Sequence, residues 1–238
     1  MKERIQQILT DLERVRENLL ALSDDIWLNI QHNDSQELQK GYEFKLAFNE
    51  KLDGFNQIAS QVSELVQQFT DVHVESVTIA QQGSPEHERI IQELDLTKPH
   101  TLAEDFTYKR PLGFIFQGKA YKGVNTWRNL YELVCKQLAE EDFNRFKSFI
   151  ESPNAITVRG GAIFTGEPTQ LRSALKIANG IYAEGNLSAN AIRDRIKSLL
   201  NAFEIDLQEV SIYLREDPKE AAPVNLTNIG FSFAQAVS

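Results

Sequence analysis

Two apolar heptad stripes at the N-terminal end constrain the fold of this chain more than any other feature. Ile5, Ile8, Leu12, Val15, Leu19, Leu22 and Ile26 recur at alternating spacings of three and four. This repeat keeps one seam of a helix turned towards a partner helix. Phe48, Leu52, Phe55, Ala59, Val62, Val66 and Phe69 form a second stripe, and the turn-forming run His32-Asn33-Asp34-Ser35 lies between the two. The spacing predicts two long helices folded back on each other. The first runs from near Lys2 to about Ile30, on the order of 40 Å at 1.5 Å per residue, too long for a compact small domain. Asp34 or Ser35 caps the second. Gly41 and Gly54 lie inside it, each costing about 1 kcal/mol relative to alanine, so they are expected to be close-packing points or bends. Trp27, Tyr42 and Phe44 add apolar surface beyond the stripes, which predicts pairing with a second hairpin and a homodimer.

The rest of the chain sorts into a connector, a module and a tail. A length of 238 residues with 42% apolar content holds one large domain or two small ones. The expected division is a coiled-coil hairpin over 1–72, a linker with short elements over 73–105, an α+β module over 106–215 and a disordered tail over 216–238. Val72, Val74, Val77 and Ile79 suggest a short strand in the linker, and Glu86 to Leu94 a short helix. In the module, Gly113–Phe116 and Lys119–Lys122 flank Gln117-Gly118 as a β-hairpin. A helix capped by Asn125 or Thr126 buries Trp127, Leu130, Tyr131, Val134 and Leu138. Phe143, Phe146, Phe149 and Ile150 share a face of the next. Ile156–Val158 and Ala162–Phe164 flank the turn Arg159-Gly160-Gly161. Ile181–Ala183 forms a strand that feeds a helix starting at Ser188 and burying Ile192, Ile196, Leu199, Leu200 and Phe203. Val210–Leu214 is the last strand.

Charge separates along the same lines. The net charge is −9, yet residues 106–215 carry 15 Lys+Arg against 11 Asp+Glu, a net of +4 that leaves −13 on the remainder. The acidity belongs to the helices, linker and tail, and the mildly basic module permits a phosphate-binding face. No apolar run approaches the roughly 18 to 20 residues needed to cross a bilayer, and Met1-Lys2-Glu3-Arg4 leads into an amphipathic helix, so a cytoplasmic protein without membrane contact is expected. The single cysteine, Cys135, excludes an internal disulfide framework.

Chemistry-bearing patterns are sparse. His32, His73, His87 and His100 lack the spacing that sets two ligands on one helix face, so neither a metal site nor a cofactor is expected. Cys135 falls on the packed edge of a helix and reads as structural. No phosphate-cradling Gly-Lys-Ser/Thr loop and no nucleophile elbow occurs, so no catalytic residue is assigned. The best candidate surface is the helix starting at Ser188. Its buried positions define one side and place Asn190, Arg193 and Lys197 on the other, with Asn186 and Ser188 at an N-terminus that offers N–H donors to phosphate. Lys109, Arg110, Lys119 and Lys122 would join Arg193 and Lys197 in contacting phosphate, with Asn186, Ser188 and Asn190 supplying polar contacts.

Three stretches carry a family resemblance. Arg110-Pro-Leu-Gly-Phe-Ile-Phe-Gln-Gly-Lys-Ala-Tyr121, Trp127-Arg-Asn-Leu-Tyr-Glu-Leu-Val-Cys135 and Gly180-Ile-Tyr-Ala-Glu-Gly-Asn-Leu-Ser-Ala-Asn190 resemble a C-terminal module of bacterial proteins, some associated with restriction or phage-defence systems. Tyr182 followed by Asn186 more distantly resembles the DNA-reading segment of the SeqA replication modulator, although Gly185-Asn186-Leu187 stands where that segment has Thr-Asn-Thr. The charge separation and the Ser188 helix face predict a non-catalytic, oligomerising protein that binds DNA or RNA, and the resemblance implies an accessory of a bacterial restriction or phage-defence system. The alternative is a protein-interaction adaptor that assembles a complex with a nuclease or ATPase. The overall acidity and the apolar run Ile229–Phe233 in the tail support the adaptor.

Overall fold

The two heptad stripes form antiparallel helices. The computed structural model describes residues 1–70, 77–95, 97–152 and 162–215. The expectations for Val72 and Val74, for the strand and turn around Arg159, and for the tail lie outside the described residues. Helix α1 spans Lys2–Leu28 and α2 spans Ser35–Thr70. Asp34 is the cap, its Oδ1 accepting the N–H of Gln36 at 2.8 Å and of Glu37 at 3.1 Å. Gly41 is a close-packing point, because a Cβ there would lie 2.2 Å from Cδ1 of Ile30. Gly54 has open space around it, and α2 runs through it without interruption.

The seam is rotated from the apolar stripe. Leu9, Arg16, Ala21 and Ser23 are the buried residues of α1, whereas Ile8 and Val15 are 59% and 42% exposed. Helix α1 serves two surfaces at once, α2 on one flank and the rest of the chain on the other.

The second half is an α+β module around a five-stranded antiparallel sheet of order β1-β4-β3-β8-β2. Its strands are β1 (Thr78–Ala80), β2 (Pro99–His100), β3 (Pro111–Phe116), β4 (Lys119–Lys122) and β8 (Val210–Leu214). The β3–β4 turn is the expected Gln117-Gly118, both at positive φ, 47° and 71°, as a tight two-residue hairpin requires. Alternation along β3 and β4 sends Phe114, Phe116 and Tyr121 into the main core and Ile115 and Ala120 to the other face, and the irregularity in register between Pro111 and Gly113 brings Leu112 to that other face as well. That other face is covered by α3 (Pro85–Leu94) through Ile90 and Leu94. The main core is built on α4 (Trp127–Glu141), whose Trp127, Leu130, Tyr131, Val134, Cys135 and Leu138 are all 0% exposed. Thr126 caps α4 by accepting the N–H of Asn129 at 3.1 Å. Against α4 pack α5 (Phe143–Ile150), α6 (Ala189–Ala202) and a second sheet of order β5-β7-β6. Its strands are β5 (Phe164–Thr165), β6 (Ala174–Ala178) and β7 (Ile181–Glu184).

One expectation is corrected here. The segment read as a linker over 73–105 belongs to the module where it is described: β1 extends the sheet beside β4, β2 beside β8, and α3 covers a sheet face. Each piece is too short to stand alone, and pairing onto the sheet supplies the hydrogen bonds and apolar cover it lacks. Phe143 is 44% exposed, so α5 is anchored by Phe146 and Phe149 alone among its phenylalanines.

Candidate functional site

Each candidate residue at the start of α6 is drawn into the structure. Asn186 and Ser188 are 7% exposed. The Asn186 Oδ1 accepts from Asn56 Nδ2 of α2 at 3.0 Å, and its backbone N–H donates to Glu184 Oε1 at 2.7 Å. Ser188 holds the N-cap position without a side-chain cap bond. Asn190 braces the segment before β3. Its Oδ1 accepts the N–H of Phe106 at 2.9 Å, and its Nδ2 donates to Asp105 Oδ1 at 2.7 Å and to Thr107 Oγ1 at 2.9 Å. The Asn190 bond, helped by Thr107, holds the Asp105 carboxyl down at about 2. Arg193 donates to the Glu104 carbonyl at 2.8 Å and to Asn190 at 3.1 Å, and pairs with Asp194 at 2.9 Å. The helical spacing correctly sets 190 and 193 opposite the buried stripe of α6. What it cannot show is that the 101–109 segment lies across that face.

The other candidates scatter over the module. Lys122 is ion-paired with Glu93 of α3. The Arg110 carbonyl accepts the N–H of Arg215 at 3.0 Å, and its guanidinium acts on Glu17. Lys109, Lys119 and Lys197 are half-buried, and none makes an ion pair within 4 Å among the described residues. Asn190→Ala would leave the N–H of Phe106 without its acceptor, and this variant is expected to lose about 2 kcal/mol of unfolding free energy. Urea denaturation would measure that loss, with a change under about 0.5 kcal/mol ruling out the bracing role.

A different polar cluster joins the hairpin to the module. Glu17 of α1 accepts the N–H of Trp127 at 2.6 Å and also that of Arg128, so a hairpin carboxylate caps the N-terminus of α4. Burial pushes that carboxyl up to about 7, against the pull of the two N–H bonds. Beside it Arg16, 3% exposed, is lowered by burial and then by the neighbouring Arg128. Tyr108, at a positive φ of 59°, donates to Asp25 Oδ2 at 2.9 Å, and burial followed by this bond pushes its hydroxyl up to about 12. Arg16 Nη2, Arg128 Nε, Asn56 Oδ1 and Asn186 Nδ2 are buried and find no hydrogen-bond partner among the described residues. Sequence reading missed this junction, since Leu9, Arg16 and Ser23 recur every seven residues in a position whose polar members read as solvent-facing.

Among the described residues, no group of three or more His, Cys, Asp or Glu side chains is placed to hold a metal ion. Cys135 is buried against Tyr131, and burial holds its thiol far above the ordinary range, which keeps it protonated. No helix among the described residues is long and apolar enough to cross a membrane. No family model, no curated protein and no solved structure matches the chain.

Proposed function

We propose that this chain is a non-catalytic accessory protein in which the hairpin assembles a complex and the module engages the working partner. One observation carries the reading. The hairpin docks on the module along a single flank, through Glu17, Asp25 and Asn56, and leaves large apolar side chains exposed elsewhere, among them Ile58, Leu65 and Phe69. A hairpin serving only to stabilise its own module would have no use for that surface. The resemblance of residues 106–215 supports placing the protein beside a bacterial restriction or phage-defence system. Crosslinking of the full chain in cells with a lysine reagent, read by mass spectrometry, tests the assembly role. Crosslinks from Lys40 or Lys51 to another polypeptide chain are the expected result, and crosslinks confined within the chain would overturn it.

The engagement of nucleic acid by the module is a second reading, favoured by Lys109, Lys119 and Lys197 standing outside the ion pairs that occupy Lys122 and Arg193. A shift assay with the full chain on single- and double-stranded DNA and RNA is expected to show binding that weakens steeply with salt. Replacing the three lysines by glutamate should flatten the salt slope by about three. Absence of binding at low salt would leave the adaptor role alone.

A further inference from the structure

We infer that the outer flank of the hairpin is a self-complementary seam, and that its occupant is the same seam of a second copy of this chain. The inference rests on the assembly reading and names its partner. Ile58, Val62, Leu65 and Phe69 follow one another at spacings of four, three and four along the end of α2, and are 63%, 43%, 67% and 88% exposed. This is a second coiled-coil seam beside the one that packs on α1. Ile8 and Val15 of α1 are exposed as well. The helices run antiparallel, with Ile30 against Gly41 and Lys45 Nζ donating to the Ser23 carbonyl at 3.0 Å. Continuing that register sets Ile8 beside the middle of the α2 stripe.

Both sets point away from the module. Val15 is two residues from Glu17 and Ile58 two from Asn56, the docking residues, which is about 200° around a helix of 3.6 residues per turn. Together the six side chains expose on the order of 700 Å², close to the roughly 800 Å² that each partner contributes to a standard interface and above the largest apolar patch of a typical monomer.

Charge selects the occupant. From Gly54 to Thr70 the only charged residue is Glu64, and Gln57, Gln61, Gln67 and Gln68 take the positions where coiled-coil helices usually carry lysine and glutamate. Hetero-pairing helices choose partners by such charges, attractive to one and repulsive to others. The α2 half of the seam, without them, matches its own copy and offers no cation to a nucleic acid, and on α1 Arg4 and Asp11 flank Ile8 with opposite charges. A protein of net charge −9 also meets its own copy with least repulsion where it is neutral. An isologous contact of two such faces gives a four-helix arrangement with a module at each side.

Sedimentation equilibrium of the full chain tests this. The wild type is expected at twice 27.1 kDa. Leu65→Glu is expected to weaken association by about 100-fold or more, since both copies lose the contact, with an unchanged circular dichroism spectrum because Leu65 is exposed. Leu28→Glu, at a leucine 74% exposed on another side, is the control and should remain dimeric. Oxidation of Val62→Cys should yield a linked dimer, the native Cys135 thiol being buried, and Leu28→Cys should not. A monomeric wild type at 100 µM overturns the second copy as occupant, and the assembly reading then stands or falls on crosslinks to a different protein. A dimer that survives Leu65→Glu, or links through Leu28→Cys in preference to Val62→Cys, overturns the seam.

Discussion

Trp127→Ala is expected to lower the unfolding free energy by about 4 kcal/mol, the value for truncating a large aromatic in a closed core. The midpoint of thermal unfolding should drop by roughly 8 to 16 °C for a chain of this size. Trp127 is fully buried at the first turn of α4, its ring centroid 4.6 Å from that of Phe106. Its indole Nε1 donates to the Lys109 carbonyl at 2.8 Å. The residue therefore joins the core to the segment entering β3, the same segment that Asn190 and Arg193 hold from α6. Truncation opens a cavity and leaves the Lys109 carbonyl unpaired. Trp127→Phe separates the two effects: it keeps most of the ring volume and loses the donor, for an expected cost of about 1 to 2 kcal/mol. The backbone N–H that Glu17 accepts survives in both variants. Urea denaturation followed by near-ultraviolet circular dichroism measures the costs, and a loss under about 1 kcal/mol for Trp127→Ala would show that the core closes around the gap.

The residues that specified their surroundings from sequence were those whose environment lies within their own element. The faces of α4 and α6 could be read because five or six apolar side chains repeat at helical spacing, and the β3–β4 turn because Gln117-Gly118 sits between aromatic flanks. Strand β6 escaped notice although its signal is there: Leu175 and Ile177 alternate with Ala174, Lys176 and Ala178, and Asn179-Gly180, with Gly180 at a φ of 71°, turns the chain into β7. The surroundings of the candidate site were not legible for a different reason. Periodicity told which side of α6 is its own core side, but the cover on the other side comes from residues 84 to 89 positions away. Arg16 shows the same limit. In the heptad frame it reads as a solvent-facing residue, and it is buried because α1 docks on a module more than 100 residues further along the chain. Such contacts leave no local pattern, and polar docking surfaces leave the least.

That polar docking makes the hairpin–module joint sensitive to pH, and its stability is expected to fall between about pH 5 and pH 8. Burial raises the Glu17 carboxyl from 4.5 to about 7, Glu13 adds to the rise, and the N–H bonds from Trp127 and Arg128, with Arg110, oppose it. The folded protein thus holds this proton more tightly than the unfolded chain. The contribution is fully present below the unfolded value of 4.5 and is lost as pH rises through about 7. The gap of 2.5 between those values corresponds to about 3 kcal/mol, and partial solvent exposure of Glu17 trims it to roughly 2 kcal/mol. An arginine is not deprotonated in proteins, so the guanidinium groups of Arg16 and Arg110 that act on this carboxyl do not generate the slope. Asp105 works in the opposite sense, its contribution present above 3.8 and lost only as pH falls through about 2, well outside the window. Glu17→Gln keeps an oxygen to accept the N–H of Trp127 and cannot ionise. The variant should match the wild type at pH 5, show a flat profile, and be more stable by about 2 kcal/mol at pH 8. Urea midpoints measured at pH 5, 6, 7 and 8 decide it: an equally steep profile in Glu17→Gln would assign the slope to another group, and a flat wild type would mean that the carboxyl ionises without strain at the α4 N-terminus.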